Sequence, residues 1–281
     1  MGVTEIVSGA VLAVCLALSC FLIAKISGWI LARDEEYERV HAKDKETEEG
    51  GFKAYWKGVF ANMKKYGIIW IVKAPVSEFT GYTGKELTFT PKKQKVSAAR
   101  LIFAVVVGGL CGGLLAYKFG IDAKFFFMTA LFILLFVIAF VDADTMEIPP
   151  YLNYLILFMG IASIWVVGDV PFIERIIGMA CISVPMMILD AIIPEAFGWG
   201  DIKLMFAAGF LLGWKVIVAG FLFGIFIGGF IGVVVLIRKK KGGKDHMPFG
   251  PSLCIGIAFA VLYGNDVINW YADMLTSQMT P

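Results

Sequence analysis

The chain has 281 residues, of which 59% are hydrophobic and only 17% charged, with a mean hydropathy of +0.79. Soluble domains are about 45–50% apolar and roughly 25% charged, so a soluble globular protein is excluded. Its net charge of +2 carries little meaning as a sum, because charge placement sets topology, and no nucleic-acid partner is expected. The composition instead predicts an all-α polytopic membrane bundle with the lipid bilayer as its surroundings.

The first predicted element is a permanent membrane helix in residues 1–33. Residues 2–5 carry no Lys or Arg, and the apolar run from Ile6 to about Leu31 is too long for a cleaved signal's core. A cytoplasmic loop region, 34–98, follows with a mixed-charge run from Asp34 to Glu49. Within it Phe52, Tyr55, Trp56, Val59, Phe60 and Met63 share one helix face, with Lys53, Lys57, Lys64 and Lys65 elsewhere. This is an amphipathic helix on the inner leaflet, or one covering a small soluble subdomain. A membrane domain over 99–271 and a C-terminal tail, 272–281, complete the chain.

About eight transmembrane helices are expected, near 5–32, 100–117, 122–141, 153–168, 172–193, 202–213, 216–237 and 251–270. A full span needs ~20 residues, so 202–213 is expected as a half-helix or a tilted helix packed inside the bundle. Fourteen of the 25 Lys/Arg lie in 33–100, and five more in Arg238-Lys239-Lys240-Lys241 and Lys244. Basic loops face the cytoplasm, so both termini point outward. Lys118, Lys124, Arg175 and Lys215 fall in the opposite loops. Gly220, Gly224, Gly228 and Gly232 form a small-residue stripe, as do Gly108/Gly112 and Gly109/Gly113. Such stripes let helices approach closely. Packing inside the bundle is the first expectation, and a homo-oligomer through 220–232 the second.

Two acids stand out against this apolar background. Asp142 ends the third predicted span and Asp201 begins the sixth, so both fall at the cytoplasmic face. An ionisable residue at a membrane helix marks a functional site by default. Asp142, Asp144 and Glu147 are three acids in six residues before Ile148-Pro149-Pro150, and Asp142 is nearest the apolar run. Asp144 and Glu147 are expected to be more solvated. Gly198 and Gly200 permit tight turns and positive φ, and Asp201 is placed to cap the following helix. A turn with an N-cap is one account of Gly-Trp-Gly-Asp; room for an extended peptide is the other. Jointly, two carboxylates brought within a few Å share one proton. The ionised one can activate water while the protonated one polarises a carbonyl.

No competing constellation is visible. His41 and His246 lie in polar loops, and the five cysteines (Cys15, Cys20, Cys111, Cys181, Cys254) sit in apolar segments without a paired spacing. Neither a metal nor a cofactor is expected.

These residues resemble the type IV prepilin peptidases, intramembrane aspartic proteases with a Gly-x-Gly-Asp motif that are related to preflagellin peptidases. Val141-Asp142 with Ile148-Pro149 is similar to the family's first aspartate block. Glu195-Ala196-Phe197-Gly198-Trp199-Gly200-Asp201-Ile202-Lys203-Leu204 resembles the second, followed by Gly209 and Gly213-Trp214. Pro248-Phe249-Gly250-Pro251 resembles the turn before the family's final helix, and the resemblance covers about 100–265. It implies that Asp142 and Asp201 are catalytic, that Gly198 and Gly200 shape the second loop, and that Lys203 and Glu195 support it. It further implies a multi-pass protein of the cell's inner membrane that cuts leaders from prepilin or pseudopilin proteins at the cytoplasmic face. Such substrates carry a basic leader and a hydrophobic N-terminal helix.

There are departures. Bacterial members commonly carry paired Cys-x-x-Cys motifs in the first cytoplasmic region, linked to N-methylation of the new pilin terminus; residues 34–98 contain no cysteine. That argues against zinc there and leaves a bifunctional peptidase and N-methyltransferase as an alternative. A small transporter relaying protons through intramembrane Asp is the alternative from another class. Asp190, inside the fifth span, matches no family position.

Overall fold

The computed structural model describes residues 3–41, 96–193, 196–238 and 248–279. Every regular element among them is a helix: α1 Val3–His41, α2 Ala98–Phe119, α3 Ala123–Thr145, α4 Pro150–Val166, α5 Phe172–Cys181, α6 Ser183–Ile192, α7 Trp199–Leu212, α8 Trp214–Arg238 and α9 Gly250–Met279. The chain divides into two units, 1–24 with 95–281, and 25–94. Of the second unit only 25–41 is described, and it is helical. The amphipathic helix expected near 52–63 and the lysines of 239–244 lie outside the described residues.

Among the described residues six stretches are long and apolar enough to cross a membrane: Val3–Ala32, Ala98–Phe119, Ala123–Thr145, Phe172–Ile192, Trp214–Val234 and Gly250–Tyr271. Their outward faces carry bare apolar side chains such as Ile102, Leu110, Phe126, Phe226 and Phe230. In a bilayer this is the lipid-facing surface, and helices suit it because each satisfies its own backbone. The other two predicted spans are α4, 17 residues long, and α7, 14 residues long.

The fifth predicted span is broken at Ile182, which separates α5 from α6. Pro185 explains the break: it has no N–H to offer the Cys181 carbonyl, and its ring crowds that carbonyl. The short α7 is the core of the bundle. Ile202, Leu204, Met205 and every residue from Ala207 to Leu212 are buried, and α4, α5 and α8 pack around it. This is the packed-inside form expected for 202–213.

Small residues set the closest approaches. A Cβ on Gly178 would stand 2.4 Å from the Gly209 carbonyl oxygen, so α5 and α7 touch backbone to backbone. Gly220, Gly224 and Gly228 press α8 onto α9, whereas a Cβ on Gly232 would meet nothing within 4 Å. Gly108 and Gly112 seat α2 against Ala13, Ser8 and Gly9 of α1. Gly108, Gly112, Gly220, Gly224 and Gly228 therefore serve packing inside the bundle, whereas Gly109 and Gly232 face open space.

Arg175 is not in a solvated loop, as its position in the sequence suggested, but is 1% exposed. Its Nη1 donates to Ser163 Oγ at 2.8 Å and to the carbonyls of Gly160, Phe210 and Leu211 at 3.3 Å each. Its Nε donates to the Val170 carbonyl at 3.1 Å. Helix ends leave carbonyls without partners and carry partial negative charge. One buried guanidinium thus takes up last-turn carbonyls of α7 and ties that helix end to α4 through Gly160 and Ser163. At the same end, opposite the aspartates, Lys118 pairs with Asp266, Lys124 with Asp169 and Lys215 with Glu174.

Candidate active site

Asp142 occupies the last turn of α3. That helix ends at Met146, whose left-handed backbone (φ 55°) lets its N–H donate to the Asp142 carbonyl at 2.7 Å. Pro149 and Pro150 then start α4, with Pro150 in the first turn where a missing N–H costs nothing. Asp201 lies in the first turn of α7, its own N–H donating to the Gly198 carbonyl at 3.0 Å. The N-cap is Gly198, and no side chain caps the helix. Asp201 is therefore not the N-cap; its carboxylate reaches back to the Gly198 backbone at the start of the helix.

Both carboxylates are buried, Asp142 at 5% and Asp201 at 7% exposure, and each lies within electrostatic reach of the other. Asp142 Oδ2 accepts the Gly250 N–H at 3.0 Å. Asp201 Oδ1 has no hydrogen-bond partner among the described residues. The start of α9 closes the site: Phe249 packs at a tilt beside Phe197 with ring centroids 6.0 Å apart, and the buried Cys254 lies within electrostatic reach of both carboxylates.

The motif glycines act differently from expectation. Neither Gly198, at φ −67°, nor Gly200 has a positive φ. Gly200 is a packing requirement, since a Cβ there would sit 2.8 Å from Ile148 Cβ. At Gly198 a Cβ would stand 3.0 Å from Asp201 Oδ2. Gly200→Val should impair activity and cost about 1–3 kcal/mol from overpacking; wild-type activity and thermal stability would refute this. Gly250, quoted above only as part of a resembling turn, is a site residue, because a Cβ there would stand 2.7 Å from Asp142 Oδ2. Gly250→Ala should displace that carboxylate and lower kcat about 10²-fold, with the fold intact by circular dichroism.

The remaining predicted residues divide. Lys203, two positions beyond Asp201, is half-buried. Glu195 lies outside the described residues. Asp144 is not simply solvated: Arg100 donates to it in a bidentate pair at 2.6 and 2.9 Å, and the Arg100 guanidinium lies 4.8 Å from the Phe140 ring centre. Its task is to tie α2 to α3. Asp144→Asn should therefore keep most activity and lose about 1 kcal/mol of stability; loss of activity equal to that of Asp142→Asn would reverse the assignment. Asp190 is 6% exposed, with Oδ1 unpartnered among the described residues. Among those residues no three His, Cys, Asp or Glu cluster as metal ligands.

Two buried aspartates, from helix ends far apart in sequence, thus lie within electrostatic reach of each other at one end of a membrane bundle. The profile of the type IV leader peptidase family matches residues 129–233, which include both. Over residues 129–233 the chain is thus similar to the type IV leader peptidase family. Similar proteins include a "Prepilin leader peptidase/N-methyltransferase" of Bacillus subtilis (strain 168), 29% identical over 164 residues, covering 56% of this chain and 63% of that one. One of the same name from Aeromonas salmonicida (strain A449) is 30% identical over 143 residues, covering 49% of each. Another from Legionella pneumophila is 27% identical over 161 residues, covering 56% of each. The chain thus spans between 49% and 63% of the length of these relatives. No solved structure matches it.

Proposed function

We propose that the protein is an intramembrane aspartic endopeptidase that removes the leader of prepilin-like proteins at the cytoplasmic face of the inner membrane. The observation that carries this is the burial of Asp142 and Asp201 within electrostatic reach of each other. Two such carboxylates hold a single proton between them. The ionised one takes a proton from water as it attacks the scissile carbonyl, and the protonated one donates to the carbonyl oxygen. Asp142, held by the Gly250 N–H, and Asp201, with one oxygen unpartnered, have environments that suit separate roles.

An apolar groove of about 230 Å3 supports a hydrophobic helical substrate, because it runs beside the site between α2, α3 and α9. Ala139 and Ala143, flanking Asp142 on its own helix, line it together with Cys254. The excess of Lys/Arg in 33–100 supports a cytoplasmic site. The transporter alternative gives way, since both acids sit at one end and the core matches a peptidase family. The relatives' printed names also support a second reading, methyl transfer to the cut pilin; against it stands the lack of cysteine in 34–98.

Purified protein with a prepilin-like substrate, read by mass spectrometry, tests the proposal. A single cut just before the hydrophobic helix is expected, unaffected by chelators. Failure of folded protein to cut any such substrate would refute it. Labelled S-adenosylmethionine in the same assay should leave the product unlabelled.

A further inference from the structure

Asn153 lies in the first turn of α4 and is 2% exposed. A buried primary amide needs partners for both of its ends. Its Nδ2 donates to the Gly200 carbonyl at 3.2 Å, across 47 residues. That acceptor decides the orientation of the amide, since a carbonyl oxygen can only accept. The Asn153 Oδ1 must then face away from Gly200, and among the described residues it has no donor. The next residue, Asp201, likewise has a buried Oδ1 without a donor. A buried acceptor without a donor is destabilising and calls for an explanation. Here two stand at one corner, and a peptide brings what they lack: an extended chain presents backbone N–H groups at regular intervals.

We propose that Asn153 positions the substrate: its Oδ1 accepts a backbone N–H next to the scissile bond while its Nδ2 holds the Gly200 carbonyl. One side-chain amide thereby registers the peptide against Asp201. The packing of Gly200 on Ile148 serves the same end, because it brings the Gly200 carbonyl within reach of α4. This rests on the peptidase reading above.

The test replaces single backbone amides of the cleaved substrate by esters, within three residues on either side of the cut, which removes one N–H at a time. In the wild type one position should stand out, with kcat/KM lowered about tenfold, the scale of one hydrogen bond. In Asn153→Ala and Asn153→Ser the all-amide substrate should be cut correspondingly more slowly, and the ester at that position should cause no further loss. An equal ester penalty in wild type and variants would overturn the proposal, leaving Asn153 to hold only Gly200. So would a wild-type scan with no distinguished position, which requires no variant to fold. Wild type that fails to cut the all-amide substrate would count instead against the peptidase reading.

Discussion

Asp142→Asn and Asp201→Asn should each lower kcat by about 10²–10⁴-fold while leaving the protein folded, as measured by cleavage under saturating substrate. Asn keeps the shape of Asp but can neither ionise nor deliver a proton, so the substitution removes acid–base chemistry alone. The fold should tolerate it because neither carboxylate is paired with a cation in the structure's described contacts: Asp142 accepts only the Gly250 N–H, which an Asn oxygen also accepts. Removing a buried ionisable group should leave thermal stability equal or higher. The two residues act as one unit, so the double variant should be little worse than either single one. Full activity in either single variant would refute the pair. Independent, multiplying losses would mean that the acids work in different steps.

Arg175→Met should destabilise the protein by about 3 kcal/mol or more, the scale expected when a buried hydrogen-bonded charge is removed and its partners stay behind. Methionine fills much of the volume, so the loss reports hydrogen bonds rather than a cavity. The carbonyls of Phe210 and Leu211 and the Ser163 hydroxyl oxygen lose the Arg175 donor, while the Gly160 carbonyl keeps the Ser163 hydroxyl at 2.8 Å. Arg175→Lys should recover only part of the loss, because an ammonium is a point donor and not a planar fork. Thermal unfolding in detergent checks both variants. Activity should fall with folded fraction and not beyond it, since Arg175 lies at the end of the bundle opposite the aspartates. Unchanged stability in Arg175→Met would show that these bonds are replaced by other means.

Much of the candidate site can be proposed from the sequence alone. Asp142 and Asp201 declare themselves because charge at a membrane helix end is costly, and the shortness of 202–213 already points to a helix held inside the bundle. What the chain's local pattern could not convey was what the other residues are for. Periodicity places Arg175 at a loop and Asp144 in a polar turn; only tertiary packing buries the first and pairs the second with Arg100. Gly198 and Gly200 read as flexible turn residues, yet the structure uses them for clearance beside Asp201 and Ile148.

The sequence alone determined a helical membrane protein with two acids at one face, because helix length, hydropathy and charge placement are local properties that solvent and bilayer act on directly. The tertiary structure decided which groups meet those acids. Gly250 reaches Asp142 across 108 residues and Asn153 reaches Gly200 across 47. Such meetings depend on how helices cross and how closely small residues let them approach, and no spacing along the chain encodes that distance.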